Sequence, residues 1–178
     1  MSKPRHFGPI RQLGYLVEDV TAAANTWMES QGVGPWTIIR NVPLNCIYKG
    51  EASQPLVHIG LSFLGDMQIE LIQQVNDAPS PYHRYIQQGQ YGLHHTAHLC
   101  EDIESSLTLA GDQGHQILCD IRMPDGGRYV YTHVPALGEH VFTEFLSATD
   151  RMKQMFQQGQ AAAEAWDGTQ KMHVIEMQ

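Results

Sequence analysis

The chain has 178 residues, 42% of them hydrophobic, and a formal net charge of -8 from 11 Lys+Arg against 19 Asp+Glu. That length suits one domain or two small modules sharing a core, and the apolar content excludes a disordered chain. The acidic balance, with no local Lys/Arg cluster, argues against nucleic acid; no apolar run nears the roughly 18 residues of a bilayer span, and "MSKPRHFGPI" lacks a signal-peptide core, so a cytoplasmic, membrane-free protein is expected.

In chain order, "IRQLGYLV" reads as a strand and "EDVTAAANTWMESQG" as a helix, with Asp19 as N-cap and Gly32 as its end. "PWTIIR", "NCIYKG", "PLVHIGLSFLG" and "MQIELIQQ" read as strands, with a Gly65-Asp66 hairpin turn between the last two. "VNDAPSPYHRYIQQGQ" is a linker closed by a short amphipathic helix carrying Tyr82, Tyr85 and Ile86. "GLHHTAHLC" then reads as a strand and "EDIESSLTLAGDQG" as a helix. "HQILCDIRM", "GRYVYTHV" and "HVFTEFLS" follow as strands. A terminal helix with Met152, Met155 and Phe156 on one side and a short apolar tail end the chain. The expected divisions are module one at 8–75, linker at 76–91, module two at 92–147 and C-terminal helix and tail at 148–178. Cys46, Cys100 and Cys119 are widely spaced, odd in number and free of any CxxC pair, so reduced, partly buried thiols are expected.

The second half repeats the first. "QLGYLVEDV" from Gln12 matches "HTAHLCEDI" from His95, an offset of 83 (95 − 12), and "MQIELI" matches "VFTEFL", bringing Glu70 onto Glu144 at an offset of 74 (144 − 70). Strand side chains alternate faces, so Gln12, Gly14 and Leu16 share a side, as do His95, Ala97 and Leu99. Glu70 and Glu144 sit among apolar neighbours, where a lone buried carboxylate costs several kcal/mol unless paired or bound to metal. Taken singly, each of Gln12, Glu70, His95 and Glu144 has a plain structural reading. Together, at equivalent points of a repeat, they offer three oxygens and one imidazole to a divalent ion: zinc, nickel, cobalt, manganese or iron. His94 and His98, each an odd step from His95, are expected to face away from it. His140 shares the strand face of Glu144 and is a candidate for substrate binding at the pocket rim.

These segments resemble the vicinal oxygen chelate superfamily, which includes glyoxalase I, methylmalonyl-CoA epimerase, extradiol dioxygenases and bleomycin-resistance proteins. "GLHHTAHLCEDIE" is similar to the strand whose second histidine, His95 here, binds metal; "RQLGYLVEDV", "QIELIQ" and "FTEFLS" resemble the strands that supply the other ligands. The resemblance covers Ile10 to about Ser147. It implies an α+β fold of two tandem βαβββ modules whose curved mixed sheets form a metal-centred cup, often in a homodimer. It also implies proton abstraction beside a carbonyl of a small thioester or thiol adduct, as in a lyase, isomerase or epimerase, with Glu144 as first candidate for the base and Glu70 as second. By similarity to the epimerase, Glu51 is a candidate second acid at the substrate. A non-catalytic binding or resistance protein of the same fold is the alternative. An iron-dependent dioxygenase is disfavoured by Gln12 at a position where that branch carries histidine.

Overall fold

The structure, a computed structural model, describes residues 7–138, 142–169 and 172–177. In chain order its elements are β1 (Ile10–Leu16), α1 (Val20–Gln31), β2 (Trp36–Pro43), β3 (Cys46–Tyr48), β4 (Glu51–Ser53), β5 (Leu56–Leu64), β6 (Met67–Gln74) and α2 (His83–Gln87). There follow β7 (Gly92–Cys100), α3 (Ile103–Asp112), β8 (Gln116–Arg122), β9 (Arg128–His133), a 3-10 turn (Pro135–Leu137), β10 (Phe142–Ser147), α4 (Asp150–Glu164) and β11 (Met172–Glu176).

Asp19 caps α1 as the sequence predicts, and Asp102 caps α3 in the same way. Asp19 accepts a 2.7 Å bond from the Ala22 N–H, and Asp102 accepts a 3.0 Å bond from the Ser105 N–H. Each satisfies an amide left open by the first helical turn, an arrangement typically contributing about 1 kcal/mol. Thr149 caps α4 in the same way through the Met152 N–H. Gly65, at φ 60, supplies the left-handed turn residue that joins β5 to β6.

The strands form one curved sheet in the order β11-β2-β5-β6-β1-β7-β10-β9-β8-β3-β4. Two βαβββ units meet at its centre, where β1 pairs antiparallel with β7. In each unit the opening strand runs parallel to the closing one: β1 with β6 and β7 with β10. Two attachments cross between the halves. The sequence reading kept "NCIYKG" with the first half, but β3 pairs with β8 of the second. A bulge bends β2 between Ile39 and Val42; Pro43 still pairs with Leu56 and the Leu44 N–H bonds the Pro55 oxygen at 2.9 Å, after which the chain passes to β8. The apolar tail becomes β11 and pairs with β2.

Alternation along the strands gives the sheet two apolar faces. On the outer face α1 packs Val20 and Ala24 against Trp36, Ile38, Ile69 and Leu71, and α3 packs Ala110 near Cys100 and Phe145. The inner face is filled by Leu16, Ile72, Cys119, Tyr131 and Phe142, with Tyr82 and Tyr85 from the linker and α2 laid among them. At the other end α4 sets Met152 and Phe156 against Phe63, whose partner in β6 is Gln68. Gly159 permits this seating, since a Cβ there would enter the Phe63 ring. Burial of a phenylalanine of this kind contributes roughly 1.5–3 kcal/mol. The linker helix and the terminal helix thus close the cup from opposite ends. All three cysteines are buried free thiols, and no helix among the described residues is long and apolar enough to cross a membrane.

Candidate metal centre

Four neighbouring central strands, β6, β1, β7 and β10, each contribute one polar side chain to the inner face: Glu70, Gln12, His95 and Glu144. The register explains how four large side chains fit together. One row across the sheet reads Glu70, Gly14, His95, and the next reads Gln12, Ala97, Glu144. A small residue therefore sits between two donors in each row. The His95 ring lies over Gly14, where a Cβ would collide with three ring atoms.

The donors converge on a single atom. His95 Nε2 lies 3.3 Å from Gln12 Oε1, 3.4 Å from Glu70 Oε2 and 3.2 Å from Glu144 Oε2. One ring nitrogen carries one proton or one lone pair and cannot serve three oxygens at once. The distances also exceed the roughly 2.7–2.9 Å of a charge-assisted hydrogen bond. They match the spacing of atoms sharing an ion, because ligands about 2.1 Å from a metal and 90–109° apart stand roughly 3.0–3.4 Å from one another. The side chains of His95, Glu144 and Glu70 are 0%, 4% and 13% exposed, so Glu70 is the donor nearest solvent. Gln12 is held amide-outward: its Nε2 donates to Gln68 Oε1 at 2.7 Å, which leaves its oxygen toward His95. Two enclosed carboxylates and a neutral imidazole are charge-balanced by one dication, so the set fits a divalent metal. All four side chains meet within this one chain.

Burial alone would lower the His95 pKa, but the Glu144 and Glu70 carboxylates beside it hold it up at about 9. Burial pushes the Glu70 carboxyl above its usual range, against the pull of His95. Behind the cluster the Tyr82 and Tyr131 hydroxyls bond at 2.9 Å, and the Tyr131 ring meets His95 edge-on at 5.1 Å. Burial first, then Glu144, pushes both phenols well above their ordinary value. Tyr131 is a neighbour of the cluster that neither alternation nor the internal repeat marks. Its signal is pairing, since β9 sets Tyr131 directly opposite Glu144.

His94 departs from expectation. Strict alternation turns it away from His95, yet it is buried, with its Nδ1 3.1 Å from the Nδ1 of His95. The cause is a bulge. Adjacent residues Gly14 and Tyr15 pair with His95 and Leu93, so His94 is the extra residue and swings inward. Burial, then the charge of His95, pushes the His94 pKa down to about 3. His98 does face away, against Phe7 and Phe145. Glu51 opens the edge strand β4 as an exposed residue opposite Tyr48, and is not in the cluster. His140 lies outside the described residues. A cleft of about 160 Å³ beside the site is lined in part by Leu16, Tyr85, Tyr91, Leu93, His94 and Phe142.

The two shifts set opposite arms of a stability curve for metal-free protein, whose reference value for both rings is 6.5. As pH falls below 6.5, the unfolded chain takes up a proton that folded His94 refuses until about 3. Stability therefore falls with acid. As pH rises above 6.5, folded His95 keeps a proton until about 9 that the unfolded chain has released, so stability falls again. At about 1.36 kcal/mol per unit, each arm amounts to a few kcal/mol. The raised Glu70 carboxyl also gives up stability as pH climbs above 4.5, so it offsets the His94 gain there and moves the maximum to the acid side of 6.5; chelated protein melted between about pH 4 and about pH 10 should lose stability toward both ends, and a monotonic profile would contradict this assignment.

The model of the Glyoxalase/Bleomycin resistance protein/Dioxygenase superfamily matches residues 11–132, and the chain belongs to that superfamily, the vicinal oxygen chelate class its strands resemble. No curated protein gives a match. Among solved structures the chain is similar to hypothetical protein BH1468 from Bacillus halodurans C-125, with 18% identity and a TM-score of 0.60 over 80% of this chain and 95% of that one. It is similar to methylmalonyl-CoA epimerase from Mycobacterium tuberculosis, with 16% identity and a TM-score of 0.55 over 82% of this chain and 91% of that one. A Streptomyces coelicolor methylmalonyl-CoA epimerase variant, in complex with 2-nitronate-propionyl-CoA, matches at 16% identity and TM-score 0.53 over 80% of this chain and 95% of that one. At these identities the likeness is one of fold.

Proposed function

We propose that the protein is a metal-dependent lyase, isomerase or epimerase that moves a proton beside a carbonyl of a small thioester or thiol adduct. The observation that carries this reading is the approach of three oxygen donors to one imidazole nitrogen. Gln12, Glu70, His95 and Glu144 would hold the ion, which when bound supplies a Lewis acid for the substrate carbonyl oxygen. Glu144 takes the proton from carbon as the C–H electron pair moves toward that oxygen, and the proton then returns at carbon. Its enclosure keeps out water that would compete for the carbanion. Glu70, the more open carboxylate, is the second proton carrier.

The test begins with protein purified without chelator. It should contain a bound divalent ion, lose thermal stability in EDTA, and wash solvent deuterium into at least one member of a panel of acyl thioesters and hemithioacetals. Absence of metal together with indifference to EDTA would sink the reading. Metal without exchange across the panel would favour a binding protein of the same fold.

A further inference from the structure

The bulged residue His94 is buried, touches His95 and has no role in the donor set. We infer that His94 is a positioning residue: a relay from the Pro81 carbonyl through His94 holds His95 in the tautomer with Nδ1 protonated and Nε2 free to face Gln12, Glu70 and Glu144. The relay deepens the metal-centre reading and rests on it for its purpose, though not for its hydrogen bonds.

The relay runs from the linker inward. His94 Nε2 lies 3.1 Å from the Pro81 oxygen. A carbonyl oxygen only accepts, so His94 Nε2 carries the proton of that bond. Neutral His94 then has a bare Nδ1. That atom lies 3.1 Å from His95 Nδ1, so His95 Nδ1–H is the donor between the rings. With its one neutral-state proton at Nδ1, His95 presents a lone pair at Nε2, the atom toward which the three oxygens point. The opposite assignment would make His94 doubly protonated, a buried cation whose hydrogen-bond partners among the described residues are a carbonyl and a second imidazole. It would also put the His95 proton on the metal-facing nitrogen of a neutral ring.

Packing keeps the relay aligned. The His94 ring stacks on Phe142 at 4.7 Å and is held edgewise by Tyr82 at 5.4 Å and Tyr85 at 5.6 Å. Pro81, Tyr82 and Tyr85 all belong to the segment between the halves, so that segment helps to set the chemistry of the cup. Metal-binding histidines commonly donate their second nitrogen to a carbonyl or carboxylate, and loss of such a partner costs 10–100-fold in affinity. Here a second histidine is the acceptor and a carbonyl orients it.

The experiment has a metal-free arm and a zinc arm. In chelated, nitrogen-15 histidine-labelled protein held near pH 10, above the His95 value of about 9 so that its ring is neutral, a nitrogen–nitrogen coupling across the hydrogen bond should join the Nδ1 atoms of His94 and His95, with His94 protonated at Nε2 and His95 bare at Nε2. A His94 protonated at Nδ1 instead, or no coupling, overturns the relay. In the zinc arm, competition against a chelator should show His94→Phe, which keeps a ring but offers no acceptor, binding roughly 10–100-fold more weakly than wild type. His94→Asn, whose side-chain oxygen can accept from His95 Nδ1–H, should recover most of that loss. Wild-type zinc affinity in His94→Phe overturns the positioning role. If wild-type protein binds no zinc, nickel, cobalt or manganese, the metal-centre reading fails, and the wild-type coupling alone decides the relay. That coupling also decides it if His94→Phe does not fold.

Discussion

Glu144→Gln is expected to slow deuterium exchange beside the substrate carbonyl by at least ~100-fold while zinc stays bound, more weakly than in wild type. The glutamine keeps the shape of the side chain and one oxygen for ligation. It removes the group that can accept a proton. Glu144 is the right place for so large an effect because it is 3% exposed and its Oε2 is the oxygen nearest His95 Nε2, at 3.2 Å. Glu70→Gln is the comparison. Its carboxylate stands at 3.4 Å with a side chain 13% exposed, and its loss should weaken zinc binding with a smaller effect on exchange per bound zinc. Exchange followed by proton NMR, normalised to zinc content by elemental analysis, separates ligation from proton transfer. Unchanged exchange in both glutamine variants would remove the carboxylates from the chemistry. The reverse order of effects would assign proton removal to Glu70.

The convergence of Gln12, Glu70, His95 and Glu144 was legible because it obeys two simple periods. Alternation puts every second strand residue on one face, and the internal repeat carries Gln12 onto His95 and Glu70 onto Glu144. The Glu-Asp caps and the Gly65-Asp66 turn were legible for a similar reason, since each satisfies a local backbone demand. What the sequence hid were departures from period. The bulge at His94 adds one residue to β7 alone, and no composition signal marks it. Tyr131 reaches the cluster through its pairing with β10, a contact between segments that only the register reveals. The crossing of β3 to β8 has the same character: "NCIYKG" is strand-like wherever it docks. Gln68, two residues before Glu70 on β6, shares its face by alternation, but its bond to the Gln12 amide depends on the β1–β6 register.

Gly14→Ala should abolish most metal binding without touching a single donor atom. Gly14 was legible only as a residue on the right face. In the structure it is the seat of the His95 ring, and an added Cβ would overlap Cε1, Nε2 and Nδ1. The ring cannot move aside freely. It is 2% exposed, bonded to His94 at Nδ1, met edge-on by Tyr131, and flanked by Gln12, Glu70 and Glu144 at Nε2. Backbone strain is not the issue, because Gly14 is not among the glycines at positive φ. A one-carbon insertion against an immobile buried ring should destabilise the fold by roughly 1–3 kcal/mol. By displacing Nε2 from its three oxygens it should weaken zinc by roughly 100-fold, the upper range for loss of a supporting contact. Gly111→Ala is the control. It lies in α3 with open space around the new Cβ, and alanine there should be neutral or stabilise the helix by up to about 1 kcal/mol. Thermal melts and chelator competition on the two variants measure both effects. Wild-type zinc affinity in Gly14→Ala would mean that the His95 ring does not rest on this glycine. Because Ala97 fills the matching place between Gln12 and Glu144, the pair Gly14 and Ala97 would then lose its standing as the space that lets four donors meet.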